Sequence, residues 1–200
     1  MKQWYKNRKN DHFYLKAKKN SFISRAYYKL EEIDRKKQLI TKNCRVLDIG
    51  CAPGGWSQYV LNKNGNQRVV GIDILPMEHT FDDENFEFYN YDLNEFAKIF
   101  DTFKSKKYLF DIIISDIAPN TSGNQFTDQA NSFNLSLLSV KFIDDFLKKG
   151  GHFLVKNFQG EDTEHLYKEI KKYFNKSSYI KPSASDKNSK EIYILGLEKK

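Results

Sequence analysis

A chain of 200 residues with 40% hydrophobic and 15% aromatic content can bury one sizeable core and is too apolar to be disordered throughout. No stretch reaches the length of a membrane span and no signal-peptide core is present. Cys44 and Cys51 offer neither a metal-ligand spacing nor a disulfide framework, which implies a reducing compartment, and Cys51 reads as a small buried thiol.

The formal charge of +7 is concentrated at the N-terminus. Residues 1–20 carry Lys2, Lys6, Arg8, Lys9, Lys16, Lys18 and Lys19 against Asp11, so the rest of the chain is almost balanced. Trp4, Tyr5, Phe13 and Tyr14 are interleaved with these cations. Basic charge with stacking surfaces suits RNA, through phosphate contacts and base stacking. The competing reading is a solvated tail or a targeting segment.

Beyond this arm, Ser24–Gln38 reads as a helix with Ser24 as its cap and Tyr27, Leu30 and Ile33 at helical spacing. A strand is expected at Arg45–Ile49, a helix at Gly55–Lys63, a strand at Arg68–Ile72 ending at Asp73, and a short strand at Phe86–Tyr89. A helix over Asn94–Phe103 precedes Phe110–Ser115, a continuous apolar run that marks a strand buried on both faces. A long helix is expected over Asp128–Lys148, stopped by Gly150–Gly151, before a strand at His152–Val155. Thr163–Phe174 reads as a helix, and strands near Ser178–Ile180 and Glu191–Leu197 could close an antiparallel pair. This alternation predicts one α/β domain over residues 1–200, a mostly parallel sheet with helices on both faces.

The segment VLDIGCAPGGWSQYV, Val46–Val60, is the most informative stretch. It joins a strand to a helix through Gly50, Gly54 and Gly55, a turn that brings backbone N–H groups and a helix N-terminus against a ligand. Asp48 and Trp56 flank it and could supply an acceptor and an aromatic wall. The spacing is neither G-x-G-x-x-G nor a P-loop, which counts against an NAD-dependent oxidoreductase or an ATPase.

Ligands of such sheets bind beyond the carboxyl ends of the strands. Gly50, Asp73, Asp92, Asp116 and Lys156 all follow apolar strand runs, so all are expected on one rim. Asp73 is placed for the two hydroxyls of a ribose and Asp92 for an adenine amino group, which together describe an adenosine-bearing cofactor. A buried lysine such as Lys156 is costly unless paired, and burial beside another cation would suit it to act as a general base. A plain Lys156–Asp116 salt bridge is the bland alternative, and a non-catalytic RNA-binding protein would leave these polar strand ends unexplained.

The segments SRAYYKL (24–30), LDIGCAPGGWSQYV (47–60), DILPM (73–77), SDIAPNTSG (115–123), GGHFLVKNFQG (150–160) and SKEIYI (189–194) resemble the FtsJ/RrmJ family of ribosomal RNA ribose methyltransferases. The matches run in order across essentially the whole chain. The resemblance implies a Rossmann-like S-adenosylmethionine-dependent methyltransferase fold and methyl transfer to a ribose 2′-hydroxyl of RNA. Its Lys–Asp–Lys–Glu tetrad falls on Lys29, Asp116, Lys156 and Glu191. Lys156 would be the base, Asp116 would orient it, Lys29 would assist, and Glu191 would hold one of the lysines. The cofactor set implied is Asp48, Gly50, Pro53, Gly54, Gly55, Trp56, Asp73, Asp92 and Asp116, with no metal. A uridine of large-subunit ribosomal RNA is the expected target, and a transfer RNA anticodon loop is the alternative, disfavoured by the GGW turn. The expected partner is RNA or the ribosomal subunit, bound by a monomer inside the cell, in the cytoplasm, the nucleolus or an organelle with bacterial-type ribosomes. Two positions depart from the pattern: Cys51 replaces the usual alanine, and Asn157 replaces an apolar residue.

Overall fold

The computed structural model describes residues 12–78, 81, 83–186 and 189–200. In chain order the elements are α1 (His12–Lys19), α2 (Ala26–Lys37), β1 (Arg45–Ile49), α3 (Gly55–Leu61), β2 (Arg68–Asp73), β3 (Phe86–Asn90), a single tight turn at Leu93–Glu95, α4 (Phe96–Ser105), β4 (Phe110–Ser115), α5 (Gln125–Val140), α6 (Phe142–Phe146), β5 (Leu147–Phe158), α7 (Thr163–Tyr173), β6 (Phe174–Ile180) and β7 (Glu191–Lys199).

The strands form one sheet in the order β3-β2-β1-β4-β5-β7-β6. Strands β1 to β5 pair in parallel, and β7 runs antiparallel between β5 and β6. Alternate residues of the central strands feed two cores. Leu47, Ile49, Ile113, Phe153 and Val155 meet α4 to α7 through Ile99, Phe103, Phe142 and Leu166. Val46, Ile112, Ile114, Leu154 and Tyr193 meet α2 and α3 through Leu30, Ile33, Trp56 and Val60. Strand β4 lies between β1 and β5, and Phe110 and Ile112 to Ile114 are fully buried, as its apolar run predicts.

Four local expectations change. Ser24 does not cap α2: Arg25 occupies the cap position and its side chain does not cap the helix, and the Ser24 hydroxyl lies buried against Gly55. A Cβ on Gly55 would come within 2.2 Å of that oxygen, so helix packing takes the place of capping. The helix expected over Asp128–Lys148 is two helices, and it gives way to β5 at Leu147, which pairs with Phe110. Gly150, at φ +77°, sits in the register shift between that pair and Ile112–His152 rather than ending a helix. Finally, β5 runs to Phe158, so Lys156 lies within the strand, opposite Tyr193, rather than after it.

Of the basic arm, Lys16, Lys18 and Lys19 fall on α1, which docks by burying Ala17 and setting Phe13 against Tyr28 at 5.7 Å. The arm's remaining cations, with Trp4 and Tyr5, lie outside the described residues. Among the described residues no helix is long and apolar enough to cross a membrane.

Candidate active site

The glycine turn is built for close approach. Gly50, at φ +75°, packs so tightly that a Cβ there would lie 2.6 Å from the Cβ of Ile117. Its N–H donates to Ile72 O at 2.8 Å, and Gly54, at φ +117°, opens α3. Cys51 is buried, and Gly71 makes room for it: a Cβ on Gly71 would meet the thiol at 2.8 Å.

Beside the turn lies a cavity of about 380 Å³ walled by Gly50, Asp73, Asp92 and Asp116 together with apolar residues such as Leu75 and Ile117. Asp73 accepts from Ala52 N at 2.8 Å and Leu75 N at 2.9 Å, bracing the turn with both oxygens. Burial pushes its carboxyl up despite those donors. Asp92 Oδ1 accepts from Asn94 N at 2.9 Å and Asn94 Nδ2 at 3.0 Å, and its second oxygen has no hydrogen-bond partner among the described residues. Each carboxylate has spare lone pairs for a hydroxyl or amino group.

The other turn residues stand apart from the cavity wall. Asp48 lies fully buried beneath the turn, where one oxygen accepts from Ser57 Oγ at 2.7 Å and the other has no partner among the described residues. Burial raises its pKa to about 7, with the Ser57 bond opposing and the charges of Asp116 and Asp73 adding to the rise. Pro53 is exposed, whereas Gly54 and Gly55 are buried at the start of α3. Trp56 is not a wall of this cavity: its indole N–H donates to Ala26 O at 2.9 Å and its ring lies 5.7 Å from Tyr193.

Lys29 and Glu191 are 162 positions apart, and the fold brings them to an ion pair of 2.8 Å. Lys156 pairs with Asp116 Oδ1 at 3.0 Å and donates to the Asp116 main-chain carbonyl. Tyr193 joins the two pairs. Its hydroxyl donates to Asp116 Oδ1 at 2.7 Å and lies 3.2 Å from Glu191 Oε1, which also accepts from Ser185 Oγ at 2.7 Å. Lys29, Lys156 and Glu191 are each less than a tenth exposed, so the charges are mutually compensated in a poorly hydrated place. Burial alone would raise Asp116, but the ammonium groups of Lys156 and Lys29 and the Tyr193 hydroxyl outweigh it and hold the carboxyl below its usual range. The same burial, with the two carboxylates, drives the Tyr193 phenol well above its ordinary value.

Tyr193 and Ser185 carry no mark in the sequence. Tyr193 reads as one more inward residue of an apolar strand, and Ser185 as a loop serine; only cross-strand and loop geometry reveals them. Asp116 belongs both to this network and to the cavity wall, so the two features share one rim.

Residues 22–199 match the family described as FtsJ-like methyltransferase. This chain belongs to that family. Among the curated relatives of this FtsJ-like methyltransferase is the ribosomal RNA large subunit methyltransferase E of Bdellovibrio bacteriovorus, 42% identical and covering 95% of this chain and 97% of the relative. The protein of the same name from Dichelobacter nodosus is 41% identical, covering 96% of this chain and 92% of its own. A crystal structure of a ribosomal RNA methyltransferase from Plasmodium falciparum superposes with a TM-score of 0.77 at 30% identity, over 89% of this chain and 98% of that one. The fibrillarin of Methanococcus jannaschii shares the fold, with a TM-score of 0.59 at 15% identity over 80% of this chain and 69% of that one. The Rossmann-like methyltransferase architecture is thereby established for the FtsJ-like chain.

Proposed function

We propose that this FtsJ-like methyltransferase transfers a methyl group from S-adenosylmethionine to a ribose 2′-hydroxyl of large-subunit ribosomal RNA. The observation that carries the reading is the shared residue Asp116, which joins the Lys29–Glu191–Tyr193–Lys156 network to the carboxylate-lined cavity. The relatives' names support the ribosomal substrate over the transfer RNA alternative.

The residues suit the cofactor. A mostly apolar cavity carrying three carboxylates matches a cationic ligand with hydroxyl and amino groups: Asp73 for ribose hydroxyls, Asp92 for an amino group and Asp116 near positive charge. Bound there, S-adenosylmethionine supplies an electrophilic methyl on a sulfonium.

The chain's own part is to bind, orient and deprotonate the hydroxyl. An ammonium has three hydrogens, whereas a neutral amine has two and one lone pair. Asp116 offers Lys156 two acceptors, its main-chain carbonyl and Oδ1. Once Lys156 has released its third proton to solvent, both remaining N–H groups are therefore engaged and the lone pair is left for the ribose hydroxyl. Once Lys156 has taken the proton, Asp116 balances the new charge. Tyr193 fixes Asp116, while Glu191 holds Lys29 and is itself fixed by Ser185. Positioning of this kind supplies much of the acceleration.

The test is transfer of labelled methyl from S-adenosylmethionine to large ribosomal subunits from cells lacking the protein, with the product mapped for 2′-O-methyl ribose. Label at one ribose of the large-subunit RNA is expected. Label on transfer RNA instead, or on a base, would overturn the assignment.

A further inference from the structure

A second, smaller cavity of about 180 Å³ opens on the same rim, and neither the tetrad nor the cofactor reading uses it. It lies where β5 ends and where α5 and α7 begin. Its walls include Phe126, Phe133 and Phe158, with Glu161 and Asp162 beside them. Phe126 is 72% exposed, an unusual cost for a ring of that size. Phe158 stands two residues beyond Lys156 on the same strand, Asn157 between them faces α5 and α7, and Phe126 follows the loop that starts at Asp116. The cavity is thus continuous in the chain with both halves of the proposed catalytic pair.

The back wall is rigid. Phe158 N donates to Ser132 Oγ at 2.9 Å, Asn157 Nδ2 to Thr163 Oγ1 at 3.2 Å, Gly160 N to Thr163 Oγ1 at 2.8 Å, and Gln129 Nε2 to Gln159 O at 2.6 Å. This gives a physical role to Asn157, the polar residue after Lys156: it ties β5 to α5 and α7. Among the described residues neither Glu161 nor Asp162 has an ion-pair partner. A phosphate would meet like charge here, whereas the amino and imino N–H groups of a nucleobase would find acceptors. Aromatic faces for stacking, with carboxylates at the rim, select a base and reject the backbone.

We propose that this cavity receives an unpaired nucleobase of the RNA substrate, next to the nucleotide whose ribose lies at Lys156. Phe126 is the stacking face. The assignment rests on the RNA-methylating reading for the identity of its ligand, but it can be tested without methyl transfer.

The probe is a single-stranded oligoribonucleotide carrying 2-aminopurine, whose fluorescence falls when the base stacks. Titration with the full chain should quench it. Phe126→Ala should weaken binding about tenfold and remove most of the quenching, the scale of one base–aromatic stack. Phe126→Trp should bind at least as well as the unmodified chain, and Phe126→Leu should behave like alanine; melting temperature and S-adenosylmethionine affinity should not change. Affinity of Phe126→Ala within about twofold of the unmodified chain would overturn the proposal, as would rescue by leucine equal to tryptophan, which would indicate an apolar protein contact. Methyl transfer to large subunits is measured on the same preparations. Phe126-dependent quenching without any transfer would retain the subsite and overturn the ribosomal reading instead.

Discussion

Replacing Asp48 by asparagine should change how stability depends on pH, in a direction the structure fixes. The carboxyl is fully buried beneath the glycine turn, its pKa raised from 3.8 to about 7, chiefly by burial. In the unfolded chain the group ionises near its ordinary value, so between those two limits the folded state binds the extra proton. Folding is therefore favoured at low pH, and that contribution is lost as pH rises towards about 7. One pKa unit corresponds to about 1.4 kcal/mol, so the contribution of Asp48 should decline by about 3 kcal/mol between about pH 5 and pH 8 and then level off. Asparagine can still accept from Ser57, and it does not titrate. Urea unfolding of both proteins without cofactor, at a series of pH values, gives the difference directly. The unmodified chain should lose stability relative to Asp48→Asn across this window. Parallel curves, or a relative gain with rising pH, would refute the reading of Asp48 as a desolvated carboxyl.

Tyr193→Phe keeps the ring against Trp56 but removes the hydroxyl that Asp116 accepts from. Loss of a bond to a charged group should cost about 1.5–3 kcal/mol in chemical denaturation. Because that hydroxyl helps hold the Asp116 carboxyl low, the acid limb of the pH–rate profile should move to higher pH; an unmoved limb would deny Tyr193 its positioning role. Deleting residues 2–10 removes Lys2, Lys6, Arg8 and Lys9, which should lower the slope of log affinity against log salt by up to about 3 for single-stranded RNA. An unchanged slope would take residues 2–10 out of the RNA interface.

The parts of the fold legible in the sequence are those where local pattern and tertiary demand agree. Strand β4 reads directly from its apolar run, and β1 and α3 from the glycine turn between them. The start of β5 was hidden because Phe142, Phe146 and Leu147 continue a helical spacing, while the pairing of Leu147 with Phe110 is a long-range contact. Its end was hidden because Lys156 and Asn157 look like the end of an apolar run. Their polar groups are instead satisfied by Asp116 and by Ser132 and Thr163, so the strand continues through them. The carboxylates of the cavity beside the glycine turn were legible because strand ends share a rim. The Lys29–Glu191 pair was legible by resemblance only, since no spacing joins a helix near one terminus to a strand near the other. Trp56 shows the converse: a residue inside the right motif turned to the opposite core, where it backs Tyr193.

The central claim is that Lys156 removes the proton from a ribose hydroxyl of large-subunit RNA while Asp116 holds it in place. It is tested most directly by single-turnover methyl transfer to large ribosomal subunits by Lys156→Ala, with S-adenosylmethionine affinity and melting temperature measured alongside. A fall in rate of at least about 100-fold with cofactor affinity preserved is expected. Transfer at close to the unmodified rate by a folded, cofactor-binding Lys156→Ala protein would contradict it.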